Sequence, residues 1–269
     1  MLSGATRLVG IIGNPVSHSL SPRMQNAAFE AAGLDWAYVP LRVEGERLRE
    51  AVRGIVALDF AGANVTIPHK TAVLEHCDEV DDVARRAGSV NTLVLREGRV
   101  LGSSTDGLAV TDAVEAHGAD ALMLGAGGAA QAVATALVEA GTASLTVASR
   151  RQEAAEALVG HLLGAFPGAR VEVGDWPASG ANATLVVNAT PLKETPPLEP
   201  RSGQQVVDLA YLPDGRETAL VMAARAAGCG VVIDGLEVLV RQGAASFERW
   251  TCLPAPVDVM RAAVRPRRG

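Results

Sequence analysis

The chain has 269 residues, of which 48% are hydrophobic and 20% charged, so it can bury a large core and is not a disordered polymer. Its formal net charge of −6 argues against a nucleic-acid partner, because phosphate binding needs a basic surface. Cys77, Cys229 and Cys252 are far apart and give neither a disulfide framework nor zinc-ligand spacing. These features favour a reducing cytoplasm, no metal and no membrane.

The first hundred residues alternate short apolar runs with longer segments of helical period, a pattern typical of βαβ units. Strands are predicted over 8–12, 36–43 and 62–67, and helical segments over 22–33, 44–58 and 68–77. Ser21 is expected to cap the first helix ahead of Pro22. Two further runs joined by Glu97 and Gly98 predict a β-hairpin over 90–95 and 99–103.

The rest of the chain continues the alternation. Strands are predicted over 121–124, 144–148, 184–187, 205–209 and 231–233, and helices over 108–117, 129–140, 235–250 and 256–264. The sequence therefore predicts an α/β protein with two domains. The first, 1–104, has an open, mainly parallel sheet completed by C-terminal helices within 236–269, and the second, 105–235, is Rossmann-like.

A glycine-rich loop lies between a predicted strand and an Ala-rich helix, as a dinucleotide-binding fold requires. It reads Gly125, Ala126, Gly127, Gly128 and Ala129. The first glycine permits the tight turn, the second lets a pyrophosphate approach the backbone, and the phosphates face the positive end of the helix. The loop predicts a dinucleotide, although a plain strand–helix turn is the alternative.

The end of the next strand indicates which dinucleotide is bound. NAD enzymes usually place a carboxylate there for the ribose 2′-hydroxyl, but this chain has Ser149, Arg150 and Arg151. Guanidinium groups can grip a 2′-phosphate through planar, charge-assisted hydrogen bonds. The missing acid favours NADP over NAD.

Four polar clusters follow predicted strand ends in the first half of the chain, where open α/β sheets form their ligand sites. They are 17–21, 64–70, 89–92 and 104–107. Together they supply hydroxyls, amides, one cation and one carboxylate. That set suits a small polyhydroxylated anion rather than an apolar ligand or a metal.

The motifs also resemble a known family, the shikimate dehydrogenases, in order and spacing from Gly13 to Trp250. The resemblance rests on the glycine loop and on Asn64-Val65-Thr66-x-Pro68-x-Lys70, Gly88-x-x-Asn91-Thr92, Thr105-Asp106-Gly107, Asn188-Ala189-Thr190-Pro191, Asp208-Leu209-Ala210-Tyr211, Asp234-Gly235-Leu236 and Gln242. It implies reversible NADPH-dependent reduction of 3-dehydroshikimate to shikimate, a step of aromatic amino-acid biosynthesis.

The resemblance also implies roles for single residues. Ser19 and Ser21 would hold the substrate carboxylate, and the ring hydroxyls would be held by Thr66, Asn91, Tyr211 and Gln242. Lys70 and Asp106 would be the catalytic pair, which suits the chemistry because an ammonium can stabilise and protonate a developing alkoxide. The nicotinamide side would be lined by Asp82, Thr190, Leu209 and Gly235.

The chain departs from the family at two places near the nicotinamide. Leu192-Lys193-Glu194 stands where the family often has Gly-Met, and Glu237-Val238 stands where it often has Gly-Met in a later motif. A quinate or quinate/shikimate dehydrogenase remains an alternative, because one ring hydroxyl can be accommodated by small pocket changes. A second alternative is a non-catalytic protein that senses NADP or shikimate.

We expect the site to lie in a cleft between the two domains, and the protein to be a monomer or a homodimer.

Overall fold

A computed structural model describes residues 2–180 and 182–265, and the chain divides into two compact units. The first unit comprises Met1–Thr105 and Leu239–Gly269, and the second comprises Asp106–Val238. The predicted boundaries, 104/105 and 235/236, differ from these divisions by one and three residues. Residues 1 and 266–269 of the predicted first domain lie outside the described residues.

The first unit contains a six-stranded mixed sheet in the order β2-β1-β3-β5-β6-β4. Its strands are β1 (Arg7–Gly13), β2 (Trp36–Arg42), β3 (Gly62–Val65), β4 (Glu79–Val80), β5 (Thr92–Arg96) and β6 (Arg99–Ser103). β1 runs parallel to β2 and β3, whereas β5 runs antiparallel to β3 and β6. The predicted hairpin is present as β5 and β6, and its turn residues Glu97 and Gly98 both have positive φ.

The helices of this part of the chain are shorter than the sequence predicts. They are α1 (Ser21–Ala31), α2 (Leu48–Ala57) and α3 (Asp82–Ala87), with 3₁₀ helices over Gly45–Arg47 and Ala72–His76. The expected capping role of Ser21 is wrong: Leu20 is the N-cap, and Ser21 is the first helical residue beside Pro22. The segment 68–77 forms only a 3₁₀ helix at its end, so Lys70 precedes that helix.

The second unit has an all-parallel sheet in the order β12-β11-β10-β7-β8-β9. Its strands are β7 (Asp120–Leu124), β8 (Ser144–Ala148), β9 (Val171–Gly174), β10 (Leu185–Asn188), β11 (Gln205–Asp208) and β12 (Val231–Ile233). Because chain order reverses between β7 and β10, this is the Rossmann arrangement with its switch point beside the glycine loop. The predicted α/β fold class is confirmed.

Four helices accompany this sheet, namely α4 (Asp106–Thr111), α5 (Gly128–Glu139), α6 (Gln152–Ala165) and α7 (Ala219–Ala226). The central strands are buried on both faces, so they read as continuous apolar runs. The core between sheet and helices is mostly Ala, Val and Leu, for example Val133, Leu137 and Leu162. α4 ends at Thr111, well before the predicted end at 117.

The last two helices are α8 (Gly235–Thr251) and α9 (Val257–Val264). From residue 239 onward they belong to the first unit, where α9 packs against α1. Gln25 Nε2 donates to the Gly243 carbonyl at 2.9 Å, and Trp250 Nε1 donates to the Leu93 carbonyl at 2.9 Å. The chain's last described residues therefore complete the core of the first unit.

No helix among the described residues is long and apolar enough to span a bilayer. Within 2–180 and 182–265, no group of three or more His, Cys, Asp and Glu side chains is arranged to hold a metal ion. The three cysteines are unpaired.

Candidate active site

A buried polar network lies at the end of β3 in the first unit. Asn64 accepts a hydrogen bond from the Tyr38 hydroxyl at 2.8 Å. Its Nδ2 donates to the Asn91 carbonyl at 3.1 Å and to Ser246 Oγ at 3.0 Å. A buried amide needs such partners, and here they come from three separate segments of the chain. Asn64 therefore fixes the backbone at Asn91.

The Asn91 side chain is held in turn by Thr105. Asn91 Nδ2 donates to Thr105 Oγ1 at 2.9 Å, and Asn91 Oδ1 accepts from the Thr105 amide at 2.9 Å. Thr105 Oγ1 lies 3.1 Å from the Gln242 carbonyl of α8, to which it donates. Two predicted substrate-binding residues, Asn91 and Gln242, are thus joined through Thr105. Gln242 Nε2 donates to the Leu239 carbonyl at 2.7 Å. The other polar atom of the Gln242 side chain is Oε1.

The segment after β3 positions Thr66 and Lys70. The Thr66 amide donates to the Ile12 carbonyl at 2.8 Å, and a Cβ on Gly13 would collide with the Thr66 methyl group. The absence of a side chain at position 13 therefore leaves room for the Thr66 side chain. His69 is buried with Nε2 2.8 Å from the Val43 carbonyl, and the Lys70 carbonyl accepts from the Val90 amide at 2.8 Å. The Lys70 side chain is half-buried.

The two serines predicted for the substrate carboxylate lie where α1 begins. Ser19 Oγ accepts from the Ser21 amide at 3.2 Å, and Ser21 is buried. Ser19 itself is half-buried. The pair presents hydroxyls beside the start of an 11-residue helix. Such a helix terminus favours negative charge.

In the second unit the glycine loop has the expected backbone. Gly125 has φ +108°, and its amide donates to the Ala148 carbonyl at 2.8 Å. A Cβ at position 125 would lie 3.1 Å from the Ala189 carbonyl oxygen, so the loop after β10 packs against it. Gly127 is the N-cap of α5, and a Cβ there would meet no atom within 4 Å. The open space beside Gly127, at the N-terminus of α5, is where a phosphate would be favoured.

The residues predicted for the ribose end follow β8. Ser149 Oγ accepts from the Arg151 amide at 3.3 Å, and Arg151 is the N-cap of α6. Arg150 and Arg151 are both exposed. Their guanidinium groups are available to an anion, as binding of a 2′-phosphate requires.

The ends of β10 and β11 carry a second buried network. Asn188 and Asp208 are paired in the sheet, and Asn188 Nδ2 donates to Asp208 Oδ1 at 2.8 Å. Asn188 Oδ1 accepts from the Thr190 amide at 3.0 Å and from its hydroxyl at 2.7 Å. Burial raises the pKa of Asp208, while hydrogen bonds from Thr218, Ala210 and Asn188 act in the opposite direction.

Residues predicted for the nicotinamide side fall into both units. Thr190, Leu209 and Gly235 belong to the second unit, whereas Asp82 belongs to the first and pairs on the surface with Arg85 at 2.7 Å. A Cβ on Gly235 would collide with the Ala210 carbonyl.

Two predicted site residues, Tyr211 and Asp106, belong to the second unit. Lys193, which lies where the chain departs from the family pattern, places its Nζ 5.9 Å from the centre of the Tyr211 ring. The predicted catalytic residue Asp106 is buried at the start of α4.

Sequence reasoning did not find Tyr38, Ser246 or Thr218 as members of these networks. Ser246 and Asn64 are 182 positions apart, and no local pattern links them. Asp208 belongs to a motif, but nothing in the sequence indicates that its carboxylate accepts hydrogen bonds from Asn188, Ala210 and Thr218.

The fold and these groups define a class of protein: an α/β protein whose second unit has the Rossmann arrangement with a glycine loop, and whose first unit carries a buried polar network at the end of β3. Residues 11–93 match the family "Shikimate dehydrogenase substrate binding domain", residues 108–208 match "Shikimate / quinate 5-dehydrogenase", and residues 235–265 match "Shikimate 5'-dehydrogenase C-terminal domain". The chain belongs to the shikimate dehydrogenase family.

Full-length relatives agree with this assignment. The shikimate dehydrogenase (NADP(+)) of Anaeromyxobacter dehalogenans strain 2CP-C is 45% identical, with 100% of this chain and 99% of the relative covered. That of Anaeromyxobacter sp. strain Fw109-5 is 48% identical, with 98% of each covered. A crystal structure of a shikimate dehydrogenase in complex with NADP+ superposes with a TM-score of 0.89 at 33% identity, covering 98% of this chain and 96% of that one.

The structure of the chain is also similar to that of a quinate dehydrogenase. The enzyme from Corynebacterium glutamicum, solved in complex with NAD, superposes with a TM-score of 0.85 at 30% identity. It covers 96% of this chain and 98% of its own.

Proposed function

We propose that this protein is an NADP-dependent shikimate dehydrogenase, an oxidoreductase that reversibly reduces 3-dehydroshikimate to shikimate. The observation that carries the proposal is identity of 45% and 48%, over essentially the whole chain, to relatives named shikimate dehydrogenase (NADP(+)). Under this proposal the protein acts in the shikimate pathway, which leads to chorismate and the aromatic amino acids. The first unit binds the substrate and the second binds NADP.

The residues of the second unit fit NADP. Open space beside Gly127, the start of α5 and the positive φ of Gly125 together form a backbone cradle for a pyrophosphate. Ala126, Gly128 and Ala129 complete that loop, and Ser149, Arg150 and Arg151 would hold the 2′-phosphate. When bound, NADPH supplies the hydride. The lack of a carboxylate at 149–151 favours the phosphorylated cofactor.

Lys70 and Asp106 are proposed as the catalytic pair. A ketone that accepts hydride develops negative charge on its oxygen, and the Lys70 ammonium stabilises that charge and then delivers a proton. In the direction of shikimate oxidation, Lys70 takes the proton from the hydroxyl. Asp106 is proposed to orient the Lys70 ammonium, and its own carboxylate is buried at the start of α4.

The remaining polar groups are proposed to bind and orient the substrate. Ser19 and Ser21 take the carboxylate, and the ring hydroxyls are taken by Thr66, Asn91, Tyr211 and Gln242. The network that fixes Asn91 supports this assignment, because a side chain whose position is already set loses little entropy when it binds. Asp82, Thr190, Leu209 and Gly235 are proposed for the nicotinamide side.

The test is absorbance at the reduced-nicotinamide band, followed with shikimate and with quinate, each with NADP and with NAD. Shikimate with NADP is expected to give the highest kcat/KM of the four combinations. No turnover with any combination would leave a binding protein and contradict the proposal.

Quinate dehydrogenase is the second candidate, favoured by the similarity to the Corynebacterium glutamicum enzyme. Quinate differs from shikimate by an added hydroxyl and a lost double bond, a change that small adjustments of a pocket can accommodate. Equal or higher kcat/KM with quinate in the same assay would replace shikimate as the preferred substrate.

Compartment and assembly are also part of the proposal. Three unpaired cysteines are compatible with a reducing cytoplasm. The acidic net charge of −6 gives no attraction for nucleic acid. We propose a monomer or homodimer, which light scattering on the purified protein distinguishes.

A further inference from the structure

We infer that Asp208 is a positioning residue: its buried carboxylate fixes the loops after β10 and β11 for the nicotinamide half of the cofactor. The inference rests on the proposed function, and it concerns a residue to which the sequence motif assigns no role. It follows from the hydrogen bonds of a single side chain that is fully buried.

Three donors from three segments converge on this carboxylate. Asp208 Oδ1 accepts from Asn188 Nδ2 at 2.8 Å and from the Ala210 amide at 3.0 Å. Asp208 Oδ2 accepts from the Thr218 hydroxyl at 2.5 Å. Thr218 is also the N-cap of α7, where its side chain accepts from the Val221 amide. One carboxylate thus holds the end of β10, the turn after β11 and the start of α7.

The network reaches two residues proposed for ligand binding. Asn188 Oδ1 accepts from both the amide and the hydroxyl of Thr190, so Thr190 is held by Asp208 through one intervening side chain. The bond to the Ala210 amide sets the direction in which the chain leaves β11 toward Tyr211. Removing the carboxylate would release both loops together.

The position of these loops points to the nicotinamide half. A Rossmann sheet binds a dinucleotide across the carboxyl edge, with one mononucleotide on each half of the sheet. The glycine loop and Arg150 belong to the β7–β9 half, so the β10–β12 half faces the other mononucleotide. The Ala189 carbonyl lies 3.1 Å from the site of a Cβ on Gly125, which brings the loop after β10 against the glycine loop.

A carboxylate suits this position better than an amide. All three partners donate, and an ionised Asp accepts at both oxygens, whereas an Asn would present an NH₂ group to the Thr218 hydroxyl. Burial, together with the Asp234 carboxylate, raises the pKa of Asp208, and the three hydrogen bonds oppose that rise. An Asn of the same size can keep the bonds at Oδ1, so Asp208→Asn is a mild test of the carboxylate.

The experiment compares Asp208→Asn with Asp120→Asn as the matched control. Asp120 lies at the opposite end of the same sheet, where its exposed carboxylate accepts from the Ser144 hydroxyl at 2.6 Å. Five quantities are measured for each protein: the melting temperature, kcat for shikimate, KM for shikimate, the Kd of NADPH from nucleotide fluorescence, and the Kd of adenosine 2′,5′-bisphosphate. The bisphosphate carries the adenosine half of NADP without nicotinamide.

Asp208→Asn is expected to lower kcat by about 10-fold or more, and to weaken NADPH several-fold, because hydrogen bonds to charged groups are among the stronger ones. The Kd of the bisphosphate is expected to stay within about twofold of wild type. Asp208→Ala should lower kcat further than Asp208→Asn, because the amide partly replaces the hydrogen bonds of the carboxylate. Asp120→Asn should leave all five quantities near wild type.

Parallel loss of NADPH and bisphosphate affinity would mean a general structural role and would overturn the inference, as would unchanged kcat and NADPH affinity. If the wild-type protein does not turn over shikimate, the proposed function fails, and the two Kd values alone decide the role of Asp208. Wild type that binds NADPH no better than the bisphosphate would also overturn it, since the nicotinamide half would then make no contact.

Discussion

Lys70 is the residue on which the proposed proton transfer depends. Its carbonyl is fixed by the Val90 amide, its neighbour His69 is buried, and its own side chain is half-buried. Lys70→Ala is expected to lower kcat about 10²–10⁴-fold, the usual range for a general acid or base, and to change KM less. Steady-state kinetics with shikimate and NADP measures both. Turnover within a few-fold of wild type would make Lys70 a binding residue only.

Ser19→Ala is the matched control for that variant. Ser19 is proposed to bind the carboxylate and to take no part in proton transfer. Its loss should therefore raise KM for shikimate and affect kcat less, the reverse of the Lys70→Ala pattern. A fall in kcat of similar size in both variants would contradict the division of roles.

Arg150 is expected to set the choice between NADP and NAD. Its exposed guanidinium can donate charge-assisted hydrogen bonds to the 2′-phosphate, each worth about 1.5–3 kcal/mol net. Arg150→Ala should weaken NADP by about one to two orders of magnitude and scarcely alter NAD. The measurement is the NADP:NAD ratio of kcat/KM, with Arg151→Ala as the neighbouring control. An unchanged ratio in Arg150→Ala would place the phosphate elsewhere.

Ser149→Asp tests the same strand end by adding a negative charge rather than removing a positive one. An added carboxylate repels the 2′-phosphate and offers a partner to the free ribose hydroxyl of NAD. The NADP:NAD ratio should fall in this variant, and fall further when it is combined with Arg150→Ala. A ratio that rises would show that residue 149 does not face the ribose.

At the scale of elements, the strand–loop–helix of β7 and α5 allows the two glycines to be separated. Gly125 has φ +108° and packs against Ala189, so Gly125→Ala is strained and should lower both stability and nucleotide affinity. Gly127 has φ −88° and open space beside it, so Gly127→Ala should fold normally. It should still weaken NADPH, because the methyl group occupies the space that a pyrophosphate needs. Melting curves and nucleotide fluorescence separate the two effects, and equal destabilisation by both variants would contradict the prediction.

Elements that the sequence predicts well are those whose signal is local. The turn Glu97-Gly98 between two β-rich runs predicts the hairpin, because a glycine at a turn readily adopts positive φ, and in the structure both turn residues do. The glycine loop predicts the β7–α5 unit because its glycines stand directly between an apolar strand and an Ala-rich helix. By contrast, α3 is six residues long and β4 has two, so neither offers a period to detect.

Other elements are set by tertiary context. β9, which reads Val-Glu-Val-Gly and is only partly buried, resembles a loop until it pairs with β8 at the sheet edge. The segment 108–117 has a helical period, but α4 stops at Thr111, and the amide of Glu115 instead donates to Gln205 Oε1 at 2.8 Å. A partner 90 positions away decides that boundary.

At the scale of the whole molecule, motifs give the candidate residues but not the contacts that support them. Asn91, Thr105 and Gln242 all belong to recognisable motifs, yet nothing in the sequence indicates that Thr105 contacts Gln242, 137 positions away. Tyr38 and Ser246 form hydrogen bonds with Asn64 only in the folded chain. A residue that acts through burial and geometry leaves no pattern in neighbouring positions, and so the second layer of the site had to come from the structure.

The dependence of the first unit on the end of the chain gives a last prediction. Trp250 is buried, donates to the Leu93 carbonyl of β5, and lies 6.0 Å from the Tyr38 ring, centre to centre. Trp250→Ala should lower the free energy of unfolding by about 3–5 kcal/mol, because a large core side chain is lost. Trp250→Phe keeps most of the ring and loses the hydrogen bond, at about 1 kcal/mol. Denaturant unfolding gives both values, and hydrogen exchange in Trp250→Ala should show the largest loss of protection in 2–105 and 239–265. Larger losses in 106–238 would mean that the C-terminal helices do not stabilise the first unit in particular.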